Sequence, residues 1–212
     1  MPVVELKDVA KTYKKIPLFS AVSLRIDPGT ATAVRGPNGS GKSVLLRVMC
    51  RFVTPDSGTV TIDPEYLDGA KVFPASFGVL IDRPGYLPGH TGLENLLSLA
   101  RIRNKVDESQ VRAAMERLGL EPDNAAKVRN YSLGMKQKLS LAQAIMENQR
   151  VLVLDEPFNA LDDSSVATVR GILRDHVDAG GTLIFTSHNQ SDIDALAERQ
   201  FAIDGGRLRS LS

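Results

Sequence analysis

The 212-residue sequence predicts an α/β protein: a mostly parallel sheet, an antiparallel β part at the N-terminal end, and an α-helical subdomain inserted at approximately residues 85–147. Three observations predict it. Thr30–Arg35 reads as a short strand, a glycine-rich stretch follows, and Val44, Leu45, Val48 and Met49 then recur at helical spacing. Val151–Leu154 and Thr182–Phe185 are continuous apolar runs bounded by helical or loop segments, the pattern of strands covered on both faces in a parallel sheet. Between residues 92 and 147 the periodicity is helical: Leu93, Leu96, Leu97 and Ala100 share one face, as do Val111, Ala114, Met115 and Leu118.

The remaining elements follow in order. Val4, Leu6 and Val9, then Leu18, Val22, Leu24 and Ile26, mark N-terminal strands closed by the turn signal Asp27-Pro28-Gly29. Residues 58–62 and 70–72 read as further short strands, and Phe77–Ile81 as a compact apolar one. Gly119 stands where the second helix stops. No repeat or long linker divides the chain, so residues 1–212 read as one domain.

Composition bounds the function. Hydrophobic residues at 42% and charged ones at 24% are ordinary for a soluble globular protein, and the formal charge of +1 gives no support for nucleic acid as the main partner. No apolar run approaches the roughly 18 residues of a membrane helix, and no charged-then-apolar leader opens the sequence. The expectation is a cytoplasmic protein whose membrane role, if it has one, comes through a partner. The single Cys50 reads as a small buried hydrophobe rather than a reactive thiol. His90 and His176 read as structural or exposed.

Residues 36–43, Gly-Pro-Asn-Gly-Ser-Gly-Lys-Ser, fit the phosphate-binding P-loop without a gap. Glycines let the backbone curl so that N–H groups point at phosphate oxygens, and the following helix places its positive end beneath them. Lys42 is then expected to reach the β- and γ-phosphates and the Ser43 hydroxyl to hold Mg²⁺. Strand, glycine loop and helix together mark a P-loop NTPase core.

Val151-Leu-Val-Leu-Asp155-Glu156 places two carboxylates at the end of a buried strand, where ligand sites of open parallel sheets lie. Asp155 is expected in the Mg²⁺ shell, and Glu156 as the residue that orients or deprotonates a water. Thr186-Ser187-His188 follows the next strand and emerges at the same edge, where His188 could meet a γ-phosphate or the attacking water. Tyr131-Ser-Leu-Gly-Met-Lys-Gln137 opens a helix and is a second anion-site candidate.

The order and spacing of Lys42, Ser132, Asp155 and His188 resemble the ATPase subunit of ABC transporters over nearly the whole chain. The resemblance implies ATP and Mg²⁺ as ligands, with ATP held by Gly36, Pro37, Asn38, Gly39, Ser40, Gly41, Lys42, Ser43 and Val44. Tyr13 matches the aromatic residue that stacks on adenine; by itself it is equally an exposed strand-end tyrosine. Ser132, Leu133, Gly134, Met135 and Lys136 match the signature segment that caps ATP held by an opposite subunit, and Asn159–Asp162 the D-loop, with Asp162 communicating between sites. Catalysis falls to Glu156 and His188, and the metal to Ser43 and Asp155.

Two departures place the chain more finely. Ser-Leu-Gly-Met replaces the usual Ser-Gly-Gly-Gln, and Asp82 stands where the family's Q-loop has Gln, keeping an oxygen ligand for the metal but adding charge. Both look like the bacitracin- and lantibiotic-type exporter subgroup. The resemblance implies an ATP-dependent dimer with itself or a similar subunit, and a separate polytopic membrane subunit docking around Asp82 and residues 83–95. The chain is then peripheral at the inner face of the membrane. A soluble ABC-type ATPase acting without a transporter is the alternative, and a degenerate scaffold module a third reading.

Overall fold

The computed structural model describes residues 1–67, 73–82 and 85–211. The chain runs β1 (Val4–Tyr13), β2 (Ile16–Ile26), β3 (Ala31–Arg35), α1 (Lys42–Met49), β4 (Ser57–Ile62), β5 (Phe77–Leu80), α2 (Gly92–Arg103), α3 (Glu108–Arg117), α4 (Leu133–Ile145), β6 (Val151–Leu154), α5 (Asp163–Asp178), β7 (Thr182–Thr186), α6 (Gln190–Leu196), β8 (Arg199–Asp204) and β9 (Arg207–Ser210). β2, β1 and β4 form an antiparallel sheet, in that order. The second sheet has the order β5-β6-β7-β3-β8-β9 and is parallel except for its β8–β9 edge. The expected strand at 70–72 lies outside the described residues.

Side chains alternate across a strand, and here the alternation builds two cores. From β6, Leu152 and Leu154 join a cluster with Leu96, Met115, Leu139 and Phe185, beneath α2–α5. Val151 and Val153 point the other way, into a cluster with Leu45 and Met49 of α1 and Leu6, Phe19 and Ile26 of the antiparallel sheet. Both faces of β6 and β7 are buried, which is why their sequences are apolar throughout. Helices α2–α4, within residues 85–147, share this first core with the parallel sheet. Helices α5 and α6 and strands β8 and β9 are additional to the elements the hydrophobic pattern marked. α5 buries only Ser165, Val169 and Leu173, a narrow stripe on an otherwise polar helix.

Cys50 caps the C-terminal end of α1 and is fully buried, and burial pushes its thiol up to about 12. Helix α4 presses on β5 at Gly78, where a Cβ would lie 2.0 Å from the Ala144 carbonyl oxygen. Gly78→Ala should therefore destabilise the protein by about 3 kcal/mol, seen as a lower urea midpoint. Gly171, mid-helix in α5, has nothing within 4 Å of a Cβ. Gly171→Ala should stabilise the protein by about 0.5–1 kcal/mol, seen as a higher urea midpoint.

Candidate active site

Parallel pairing sets the site. Val34 of β3 pairs with Thr186 of β7, Leu154 of β6 with Phe185, and Leu80 of β5 with Leu154. The four strands thus end at one edge, which receives the loops beginning at Gly36, Asp155, Ser187 and Ile81. Ligand sites of open α/β sheets form at such an edge.

The glycine loop turns into α1 at Gly41, which adopts φ 97°. A side chain there would be strained and would meet the Phe19 ring at 3.2 Å. At Gly36 a Cβ would sit 2.7 Å from both the Ile203 carbonyl oxygen and Ser40 Oγ. Ser40 Oγ is buried and has no hydrogen-bond partner among the described residues, so the loop holds a donor in reserve. Lys42 is nearly buried, and its ammonium donates to the Gly36 carbonyl oxygen at 2.8 Å.

Two acidic residues meet this loop. Ser43 Oγ donates to Asp155 Oδ2, and Thr186 Oγ1 donates to Asp155 Oδ1 at 2.7 Å. The same Thr186 hydroxyl accepts the Glu156 N–H at 2.8 Å. Glu156 adopts φ 49°, a conformation costing a non-glycine residue roughly 1 kcal/mol or more. Its carbonyl oxygen accepts from Gln137 Nε2 at 3.1 Å, and that amide also donates to the Pro157 carbonyl at 2.9 Å. Clamped on both sides, the backbone aims the Glu156 carboxylate between two cations or potential cations. Oε1 is 3.9 Å from Lys42 Nζ, and Oε2 is 2.9 Å from His188 Nδ1. Against that carboxylate oxygen Nδ1–H is the donor of the bond.

Tyr13, at the exposed end of β1, lines an open cavity of about 300 Å³ together with Leu18, residues 38–44, Asp155 and Glu156. The structure thus brings the predicted adenine-stacking residue, the loop and both carboxylates to one place. Residues 132–136 do not line this cavity. Ser132 caps α4 by accepting the Met135 N–H at 3.1 Å, Leu133 is 64% exposed, and a Cβ on Gly134 would lie 2.8 Å from the Ala160 carbonyl oxygen. Leu133 and Lys136 instead line a second cavity, of about 540 Å³, with Tyr86, Asp155 and Glu156. Asp162 caps α5, accepting from the Ser165 N–H and the Ser164 hydroxyl, both at 2.8 Å. Those bonds hold its carboxyl down at about 2.

Asp82 lines that second cavity too, but its carboxylate is ion-paired with Arg47 of α1. Arg47 is a partner that the spacing of motifs did not reveal. Among the described residues no group of three or more His, Cys, Asp and Glu side chains converges as a metal site. The hydroxyl of Ser43 and the carboxylate of Asp155 are nevertheless adjacent hard oxygen donors, and they fit Mg²⁺, which keeps several waters and phosphate oxygens in its shell. Thr186 and Gln137 are the positioning residues that motif reasoning passed over. Both lie inside quoted motifs, and only strand register and helix placement give them their partners.

A doubly cored α/β fold whose glycine loop faces two carboxylates and a histidine defines a P-loop nucleotide-binding ATPase. The ABC transporter family profile matches residues 19–159. An uncharacterized ABC transporter ATP-binding protein of Bacillus subtilis, YybJ, is 37% identical over 98% of this chain and 95% of its own length. The bacitracin transport ATP-binding protein BcrA of Enterococcus faecalis is 34% identical over 92% of this chain and 64% of its own. The chain belongs to the ABC transporter family, as an ATP-binding, ATP-hydrolysing domain. In fold it superposes with a TM-score of 0.85 on the ATP-binding cassette MJ0796, a dimeric structure bound to ADP and Pi, at 24% identity over 99% of both chains.

Thr186→Val removes the hydroxyl that serves both Asp155 and Glu156. It should lower stability by about 1–3 kcal/mol, through buried groups left unpaired, and slow ATP turnover. Thr186→Ser should keep most of both, as read by urea unfolding and steady-state hydrolysis.

Proposed function

We propose that the chain powers a separate polytopic membrane subunit that exports a drug, peptide antibiotic or lipid-like molecule, working from the cytoplasmic face. The observation that carries the catalytic half is Glu156, held between Lys42 and His188 at the mouth of the glycine loop. ATP binds in the cavity between Tyr13 and residues 38–44, the adenine on Tyr13 and the phosphates on the loop N–H groups. Lys42 leaves the Gly36 carbonyl to reach the β- and γ-phosphates. Ser43 and Asp155 hold Mg²⁺, which supplies charge neutralisation on the phosphate oxygens. Glu156 orients the attacking water and accepts its proton, and His188 steadies the carboxylate and the γ-phosphate. Phosphoryl transfer asks mainly for such positioning and charge stabilisation.

Residues 132–136 serve a neighbouring subunit. They do not line their own chain's P-loop cavity and Leu133 is exposed, which supports head-to-tail pairing of two ATPase subunits around two nucleotides. Asp162, at the start of α5, belongs to the same interface. The membrane subunit docks over a groove of about 550 Å³ lined by Arg47, Phe52, Val79, Asp82 and Gln143. Arg83 and Pro84 of the adjoining loop lie outside the described residues. A metal role for Asp82 requires that it leave Arg47, so docking in this groove and metal binding draw on one carboxylate. Among the described residues no helix is long and apolar enough to cross a membrane, and in this reading the spans belong to the separate subunit. Export as the direction is supported by the likeness to a Nod factor export ATP-binding protein of Rhizobium etli, 32% identical over 98% of this chain and 67% of its own length.

Lys42→Ala should abolish ATP binding in a calorimetric titration. Glu156→Gln should bind ATP as the wild type does while losing about 10²-fold or more in turnover. Tagged Glu156→Gln protein, with ATP present, should recover one polytopic membrane protein in stoichiometric amount from detergent-solubilised native membranes. Recovery of soluble partners alone would overturn the transport reading in favour of a free-standing ATPase.

A further inference from the structure

Behind the loop that carries His188 lies a charged network with no part in the chemistry described so far. Asp192, in α6, is 2% exposed, yet it bears a carboxylate. Arg170 of α5 reaches it with two nitrogens, Nε donating to Oδ1 at 2.9 Å and Nη2 to the same oxygen. Nη2 also donates to Ser191 Oγ at 2.8 Å. The second carboxylate oxygen, Oδ2, accepts from Ser187 Oγ at 3.2 Å. Ser187 is itself buried, and its oxygen accepts the Asn189 N–H at 3.0 Å. The chain of bonds therefore runs from α5 through a buried carboxylate to the residues immediately before and after His188.

A buried carboxylate is costly unless paired and fully hydrogen-bonded, and a hydrophobic residue of similar volume would often serve stability equally well. The network therefore calls for a reason other than stability. His188 supplies one: its side chain is 70% exposed, and among the described residues the bond that aims it is the 2.9 Å one to Glu156. An exposed imidazole on a short loop keeps a fixed direction only if the backbone beneath it is fixed. Ser187 and Asn189 are the backbone neighbours that the network ties down. Asp162 caps the start of α5, so the same helix links the D-loop to this anchor.

We propose that Arg170, Asp192 and Ser187 are positioning residues that hold the His188 loop in register with Glu156, so that α5 sets the direction of the imidazole. The proposal rests on the role assigned above to His188. Ser187→Ala cuts the tie between Asp192 and the loop while leaving the buried Arg170–Asp192 pair intact, so the fold is expected to survive. Asp192→Asn is the second variant, isosteric and neutral.

The experiment is steady-state ATP hydrolysis by the full chain, with each variant made in the His188 and His188→Ala backgrounds. In the His188 background, Ser187→Ala and Asp192→Asn should each lower kcat about tenfold with KM for ATP unchanged, since misaiming a catalytic group costs rate rather than binding. In the His188→Ala background the same substitutions should change kcat less than twofold. An equal loss in both backgrounds, or no loss in either, would overturn the positioning role while leaving His188 as assigned. Wild-type kcat in His188→Ala alone would instead remove the reading on which the proposal stands.

Discussion

The parallel registration of β6, β7 and β3 is the constraint on which the nucleotide site depends. Leu154 opposite Phe185 puts the next pair, Asp155 and Thr186, side by side, and Val34 opposite Thr186 brings the glycine loop to the same level. The Thr186 hydroxyl then lies where it can donate to Asp155 and accept from Glu156 at once. A slip of one residue would turn every side chain of a strand to the opposite face. Close packing of both faces of β6 and β7 against their two cores resists that slip, so those cores also hold the strand ends in register.

Charge at the site is arranged in a short series: Lys42, Glu156 and His188, with Asp155 one residue away. Lys42 is nearly buried and finds its partners in a backbone carbonyl and the Glu156 carboxylate. Such a lysine is pre-positioned for a phosphate that offers it a stronger partner. The left-handed backbone at Glu156 belongs to the same design. Gln137 and Thr186 hold a strained conformation in place, so the carboxylate is directed by the main chain as well as by its side-chain contacts.

Much of this was legible in the residues. The loop at 36–43 could be read because phosphate binding fixes the spacing of Gly36, Gly41, Lys42 and Ser43, and the carboxylates at 155 and 156 because an apolar strand leads directly into them. Strands with continuous apolar runs and helices with a clear period were legible for the same reason. α5 was not, since Val169 and Leu173 are too few among polar residues to show a face. Roles that depend on contacts through space were hidden: Thr186 is an ordinary strand-end residue until its register is known, and nothing in the numbering joins Arg47 to Asp82 or Arg170 to Asp192. Cys50, by contrast, was correctly read as a buried apolar side chain from its place at the end of a helix.

That last residue has a practical consequence. The chain holds one thiol, enclosed at the foot of α1 and kept protonated far above neutral pH by its apolar surroundings. In the folded state it is chemically silent toward maleimides and disulfides, for which the thiolate is the reactive form. The natural sequence is therefore already a clean background for spectroscopy: a cysteine introduced at exposed Leu133 or Tyr13 would take a fluorophore or spin label alone. Under the head-to-tail pairing proposed above, probe pairs on two subunits would report the distance between them in real time.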